Sequence, residues 1–227
     1  PPRQIFAHGW WTNEGKKISK SLGNTIDPLE IVKKFGLDQI RYFLLREITL
    51  GQDGDFSEKA LISRINADLS NNLGNLIQRT LKLNGKYFEN KFPFDLNENQ
   101  EFKVLEYGYK LLGEVESNMR LFQINKALEN IWNFISKLNQ YIDKTEPWKL
   151  FKENKDETAI VLSEIIESIR LLGIILQPFI PDSSSKILDT LNIDKEHRGF
   201  NSFNKHNKIK KGAKLNEVKQ LFPRYNV

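Results

Sequence analysis

The sequence predicts a mainly α protein: a small mixed α/β unit over residues 1–57, an antiparallel α-helical bundle over residues 58–200 and a basic tail over residues 201–227. Three observations carry this. Apolar residues recur at steps of three and four from Leu61 to Leu191, the period of helix faces packed on one another. Strand-like and turn-like signals are confined to the first 57 residues. Short links bearing proline or asparagine separate the helical stretches, which suits antiparallel neighbours.

Residues 4–12 (Gln-Ile-Phe-Ala-His-Gly-Trp-Trp-Thr) are apolar and aromatic and read as a strand, which turns at Asn13-Glu14-Gly15 into a lysine-rich loop. Asp27-Pro28 opens a helix, with Asp as N-cap and Pro at the first helical position, and Gly36 ends it. Asp38 is expected to cap a second helix, Gln39 to about Glu47, with Ile40, Phe43 and Leu44 on its inner face. Gly51–Asp55 reads as a loop. Ser57 caps a long helix whose apolar line runs through Leu61, Ile65, Leu69, Leu73 and Leu76, ending near Gly85. Residues 86–100 form a loop, and a helix follows from about Glu101 to Ser117. The next helix, about Asn125 to Ile142, carries the stripe Ile124, Leu128, Ile131, Ile135, Leu138 and Ile142. Pro147 interrupts it. A further helix covers about Asp156 to Leu176, Pro178 and Pro181 break it, and a shorter one runs from Pro181 to about Leu191. Beyond Gly199 the chain is rich in Lys and Asn and reads as irregular.

Composition narrows the class. At 227 residues and 39% hydrophobic, the chain is long enough for real cores. It has no cysteine and only three histidines, which excludes a disulfide framework and disfavours a zinc site in this stretch; the expected metal content is none. No apolar run reaches membrane-spanning length and the start is not signal-like, so a cytoplasmic protein with no membrane partner is expected. The opening Pro1-Pro2 without an initiator methionine reads as a piece of a longer protein. The net charge of +5 is unevenly spread. Residues 1–58 hold 8 basic and 8 acidic residues, residues 59–200 hold 19 and 20, and residues 201–227 hold 7 and 1. RNA contact in the middle of the chain therefore requires particular side chains rather than a generally basic face.

Lys17-Ile18-Ser19-Lys20-Ser21, followed by Leu22-Gly23-Asn24, is the stretch richest in chemistry. Two lysines three apart, with hydroxyls between and beside them, suit a polyphosphate: the ammonium groups are compact charges, and Ser hydroxyls and loop N–H groups add donors. By itself such a stretch is more often solvated surface than a phosphate site, and the surrounding residues must decide.

The stretch resembles the KMSKS signature of class I aminoacyl-tRNA synthetases, with Ile18 in place of Met. Further stretches are similar to the methionyl-tRNA synthetase family in that family's order: His8-Gly9-Trp10 with Gly15-Lys16; Asp27-Pro28 through Gly36-Leu37-Asp38 to Leu45; Gly51-Gln52-Asp53-Gly54-Asp55-Phe56-Ser57 with Arg64–Leu69 and Leu73-Gly74-Asn75-Leu76-Ile77-Gln78-Arg79; Pro147-Trp148; and Leu221-Phe222-Pro223-Arg224. The resemblance implies the end of a catalytic region with a stem-contact fold, then an anticodon-binding domain. It implies methionine–tRNA ligase activity in the whole enzyme, with ATP and Mg2+, methionine and tRNA(Met) as substrates. The nucleotide-binding fold, the methionine pocket and any zinc belong to an N-terminal part absent here, so this chain holds only part of an active site.

By the same resemblance Lys17 and Lys20 are the catalytic phosphate contacts, and Ile18, Ser19 and Ser21 complete the ATP-binding loop. Ile18 is expected to pin the loop to an apolar patch, and Gly23 to permit its movement. Asn75, Arg79 and Trp148 are expected to read the CAU anticodon. Asn75 and Arg79 are four apart and share a helix face, where the amide and the planar guanidinium suit base edges. Trp148 is either a core anchor or a platform for an unpaired base. Trp10 and Trp11 are read as packing toward the absent part, and Trp132, Phe43 and Phe134 as structural. The basic tail (Lys205, Lys208, Lys210, Lys211, Lys214) either touches RNA phosphates or folds back. Three other readings stand beside this one: a class I enzyme for Leu, Ile, Val or Cys; a non-catalytic RNA-binding helical module; and a helical scaffold without an RNA role.

Overall fold

The computed structural model describes residues 1–3, 5–96 and 102–226. Its order is β1 (Trp11–Asn13), β2 (Lys16–Lys17), α1 (Pro28–Phe35), α2 (Leu37–Glu47), β3 (Gly54–Phe56), α3 (Glu58–Arg64), a π-helical segment (Ile65–Gly74), α4 (Asn75–Phe88), α5 (Lys103–Arg120), α6 (Ile124–Thr145), α7 (Pro147–Glu153), α8 (Lys155–Ile175) and α9 (Pro181–Thr190).

The sheet is smaller and differently built than residues 4–12 predict. Gln4 lies outside the described residues, and the strand occupies only Trp11–Asn13, antiparallel to β2 and parallel to β3 in the order β2-β1-β3. Its extent is set by its partner: β3 offers three residues, and Gly54 N–H donating to Trp10 C=O is the last rung before the chain leaves the sheet. Gly54 and Asp55, expected in a loop, thus belong to a strand.

Caps behave as expected at α1 and α3. Asp27 Oδ1 accepts from Leu29 N–H at 2.8 Å, and Ser57 Oγ accepts from Ala60 N–H at 3.1 Å. Asp38 does not cap its own helix. It lies in the first turn of α2, buried, and its Oδ2 accepts from Ser183 N–H at 2.6 Å, so it caps α9. One turn further along α2, Arg41 donates to the Pro178 and Phe179 carbonyls at 2.7 and 3.1 Å. Tyr42 rather than Leu44 joins Ile40 and Phe43 in the core; Leu44 is exposed.

The long helix is not uniformly α. Asn75 N–H reaches Ser70 C=O, five residues back. Uniform steps of four from Leu61 to Leu73 overshoot an α turn by about 40° each, at roughly 100° per residue. The wider π turn absorbs this drift, and Leu61, Ile65, Leu69, Leu73 and Leu76 all stay fully buried. The helix also passes Gly85 and ends at Phe88. The loop expected over residues 86–100 begins at Glu89; residues 97–100, and the helix start expected at Glu101, lie outside the described residues.

α5 and α6 pack side by side, and the α6 stripe is buried as its spacing demands, with Ile124 half-buried at its start. α8 is the central helix. It is buried on every side from Thr158 to Ile175, except at half-buried Ile160, and it packs against α4, α5, α6, α7 and α9. Its buried Glu167 and Arg170 form an ion pair at 2.6 Å, and their remaining sites go to Tyr109, to the Ser202 and Asn204 carbonyls and to Ile209 N–H.

That pair anchors the tail, which is irregular as expected but not merely solvated. Phe203, Ile209, Leu215 and Phe222 are buried. Backbone bonds tie residues 212–215 to Asn90 and Phe92. Tyr225 exchanges two bonds with the Asn66 side chain and reaches Phe35 C=O on α1 at 3.2 Å.

Replacing Asp38 with Ala leaves the Ser183 N–H without its acceptor in a buried setting. The expected loss is about 1–2 kcal/mol, the range of an N-cap deletion. Urea denaturation should show a larger loss than for Asp27→Ala at the exposed cap of α1; equal losses would contradict the assignment of Asp38 to α9.

Candidate functional site

The structure places the expected site residues in two groups. The first is the lysine loop. Glu14 and Gly15, both at positive φ (51° and 73°), make the tight turn between β1 and β2. Lys17 is not in the loop but on β2, paired with Thr12, so its backbone is fixed by the sheet. Lys20 stands on a 3-10 turn, Lys20–Leu22, that closes through Gly23 N–H to Lys20 C=O at 3.2 Å, with Gly23 left-handed at φ 64°. Lys17 and Lys20 are exposed, and among the described residues neither is in an ion pair.

Asn24 holds this loop shut. Its Oδ1 accepts from Ser19 N–H at 2.9 Å, its Nδ2 donates to Lys17 C=O at 3.0 Å, and its own carbonyl accepts from Asn13 Nδ2 at 2.9 Å. The Ser19 and Ser21 hydroxyls bond each other at 2.7 Å, which uses one of their two O–H donors and leaves the other free to donate. Ile18 is half-buried, while Ile26 at the far end of the loop is the residue that packs on the core. Asp55 on β3 supports the turn, accepting from Thr12 Oγ1 at 2.6 Å and from Gly15 N–H at 2.7 Å. These two bonds, the Thr12 hydroxyl first, hold its carboxyl below the usual carboxylate range.

The second group lies about the long helix. Asn75, the first residue of α4, is exposed, and Arg79 one turn on is half-buried. Trp148 is not in a loop but in the first turn of α7. Glu146, left-handed at φ 42°, bends the chain between α6 and α7, and Pro147 starts the new helix. The bend sets the Trp148 ring beneath the Arg79 guanidinium, 4.9 Å from carbon to ring centroid. Arg79 also pairs with Asp143 on α6 at 2.7 Å. Trp148 is half-buried and packs on the core with part of its ring open. Its packing fits the anchor reading, and its open part leaves the platform reading standing.

The other aromatics separate cleanly. Trp132 is buried, donates to Asp68 C=O at 3.2 Å and packs on Tyr42, while Phe43 and Phe134 are fully buried. Trp11 packs on the core beside Phe43, and Trp10 is exposed. Among the described residues no group of three or more His, Cys, Asp or Glu side chains is placed to hold a metal ion, and no helix is long and apolar enough to cross a membrane.

Sequence reasoning gave no role to Asn24, Asp55 or Asp143. Asn24 stands within the quoted loop stretch, and a short amide side chain after a glycine is a turn signal that could have found it. Nothing in the sequence connects Asp143 to Arg79, 64 residues away.

Comparison with known proteins bears on both groups. Residues 1–81 match the sequence model of the tRNA synthetases class I (M), and residues 96–226 match that of the anticodon binding domain of methionyl tRNA ligase. The methionine–tRNA ligase of Rickettsia felis is 43% identical over 99% of this chain and 44% of its own length; that of Fusobacterium nucleatum is 41% identical over 100% and 36%. Mycobacterium tuberculosis methionyl-tRNA synthetase in complex with methionyl-adenylate superposes with a TM-score of 0.91 at 35% identity, covering 98% of this chain and 44% of that one. The chain thus spans less than half the length of these relatives.

One pH dependence follows from Asp55. Its pKa is lowered on folding, so its contribution is complete above the unfolded value and is lost as pH falls through the lower folded value. Amide exchange at Gly15 should accelerate, relative to core amides, as pH falls through that acidic window, and Asp55→Asn should remove the step. A Gly15 amide insensitive to acid in the wild type would contradict the support role.

Proposed function

Because this chain belongs to the methionyl-tRNA synthetases, a family of class I aminoacyl-tRNA ligases, we propose that it is the part of a methionine–tRNA ligase that supplies an ATP-contacting loop and an anticodon-reading surface. The whole enzyme joins the methionine carboxylate to the α-phosphate of ATP, releases pyrophosphate and passes the methionyl group to tRNA(Met). Magnesium enters with the nucleotide, any zinc belongs to sequence outside this chain, and the setting is cytoplasmic. Residues 1–57 act as the end of the catalytic region, 58–200 as the anticodon-binding domain and 201–227 as the tail.

In the first step negative charge grows on the departing pyrophosphate. A lysine that meets it there stabilises the transition state more than the ground state, and such differential stabilisation is what accelerates a reaction. Lys20, on the turn hinged at Gly23, is the main contact, and Lys17, fixed on β2, is the second. Ser19 and Ser21 supply hydroxyls, and Ile18 fills the site that methionine has in the signature, a near volume-conserving change. Asn24 sets the resting shape that these residues leave and regain.

The observation that carries the RNA reading is the Arg79 guanidinium over the Trp148 ring, 4.9 Å from its centroid, one turn from Asn75. A flat cation on an indole, with an amide beside it, suits an unstacked base: stacking on the indole is worth about 1–3 kcal/mol, and the amide and guanidinium address its edge. Asp143 holds Arg79 over the ring until a base edge takes its place. Its carboxylate is 64% exposed, so that exchange occurs in water at little cost.

Two outcomes test this in the full-length enzyme. Lys20→Ala should slow pyrophosphate exchange about 100-fold, or about 2.7 kcal/mol; a change under threefold would count against the loop assignment. Trp148→Ala should weaken tRNA charging at least tenfold while methionine activation without tRNA stays near normal. Equal loss of both activities would mark Trp148 as a core residue only.

A further inference from the structure

The Asn75–Arg79 face does not end at Arg79. Asn75, Arg79, Lys82 and Lys86 follow one another at steps of four, three and four, so they form a single stripe along α4. α7 runs beside it and repeats the arrangement at Trp148 one turn further on. Phe151 stacks on Tyr87 with ring centroids 4.0 Å apart and planes 11° from parallel. Lys86 lies 5.5 Å from the Tyr87 ring and Lys155 5.5 Å from the Phe151 ring. Both rings are half-buried, so the ledge is open on one side.

We infer that Lys86 and Lys155, at the Tyr87–Phe151 ledge, and Lys82, one turn back on the α4 stripe, form a second RNA subsite that takes the sugar–phosphate backbone of the strand whose base rests on Trp148. The inference rests on the RNA reading of Arg79 and Trp148 and extends it. Lys82, Lys86 and Lys155 are exposed, and among the described residues none of them is in an ion pair. Several nearby carboxylates are already engaged: Asp143 by Arg79, Glu146 by Lys149 and Glu89 by Lys91. Glu153 and Asp156 interrupt the positive charge on the α7–α8 side, so it forms a stripe along α4 rather than a broad patch. Two of the three ammonium groups rest near ring faces, which confines long side chains that would otherwise lose more freedom on binding. Lys86 is seven residues from Arg79, about 10 Å at roughly 1.5 Å per residue, so one strand reaches both. Point cations around an aromatic ledge hold backbone without reading sequence.

The test is binding of this chain to an RNA stem–loop with CAU in the loop, at several salt concentrations, for the wild type, Trp148→Ala, the triple variant Lys82→Gln, Lys86→Gln, Lys155→Gln, and its Lys→Arg counterpart. Each lost single-strand phosphate contact reduces the slope of log affinity against log salt by about 0.7, so the Gln triple variant should lose about two units of slope. Its affinity at low salt should fall at least tenfold, and the Arg triple variant should keep both. An unchanged slope in the Gln variant, whatever its affinity, overturns the subsite. If Trp148→Ala binds as tightly as the wild type, the RNA reading itself fails. If Trp148→Ala loses binding and the Gln variant keeps its slope, only the subsite fails.

Discussion

Asp38 and Arg41 stand one turn apart on α2 and address the two helices that meet beside it. Asp38 accepts from the first turn of α9, where the orphan N–H groups and the positive end of the helix dipole lie. Arg41 donates to the carbonyls of Pro178 and Phe179, in the turn that follows α8. Acid at an N-terminus and base at the carbonyls after a C-terminus are each the favourable sign. α2 thereby grips the corner of the bundle that contains its central helix. The same helix sends Tyr42 to Asp68 at 2.6 Å and Arg46 to Glu129 at 3.1 Å, so its polar contacts reach α9, the π segment and α6. α2 is thus one of the links between the lysine-loop unit and the bundle that carries Trp148.

The tail closes the same connection from the other side. Phe222 packs over Gly74, where an added Cβ would touch the Phe222 ring at 3.5 Å but crowd Leu69 C=O at 2.9 Å, so a side chain there would strain the helix backbone. Tyr225 then spans Asn66 and Phe35. The π segment that seats the tail also sets the rotation at which Asn75 begins α4. The residue proposed to meet RNA and the residue under the tail are therefore neighbours, Asn75 and Gly74. A single long element carries both the internal seat and the external face.

What the sequence disclosed was what periodicity and short-range chemistry control. The α6 stripe, the caps at Asp27 and Ser57 and the stop at Gly36 are local, and each was legible. Asn75, Arg79 and Trp148 were singled out for RNA only through resemblance. The sequence said that Asn75 and Arg79 share a face, but it could not say that a left-handed Glu146 would bring Trp148 under Arg79. The misses share one cause, a partner far away in the chain. Asp38 looked like the cap of its own helix because Ser183 is 145 residues distant. Gly54 and Asp55 looked like a loop because a three-residue strand has no period to detect, and it exists only through β1. The drift in the Leu61–Leu73 line was visible as uniform steps of four, but its resolution into π turns needed the burial pattern. The tail's anchors were hidden among lysines and asparagines, since four widely spaced apolar residues make no stripe.

We propose that one chain carries two separate contact surfaces, with RNA loop recognition confined to α4, α7 and the adjoining start of α8. The most direct measurement is amide hydrogen exchange of this chain with and without a CAU stem–loop RNA. Exchange should slow in α4 from Arg79 onward and in α7 about Trp148, with residues 16–24 unchanged. Protection confined to the lysine loop or to the tail, with α4 and α7 unaffected, would contradict it.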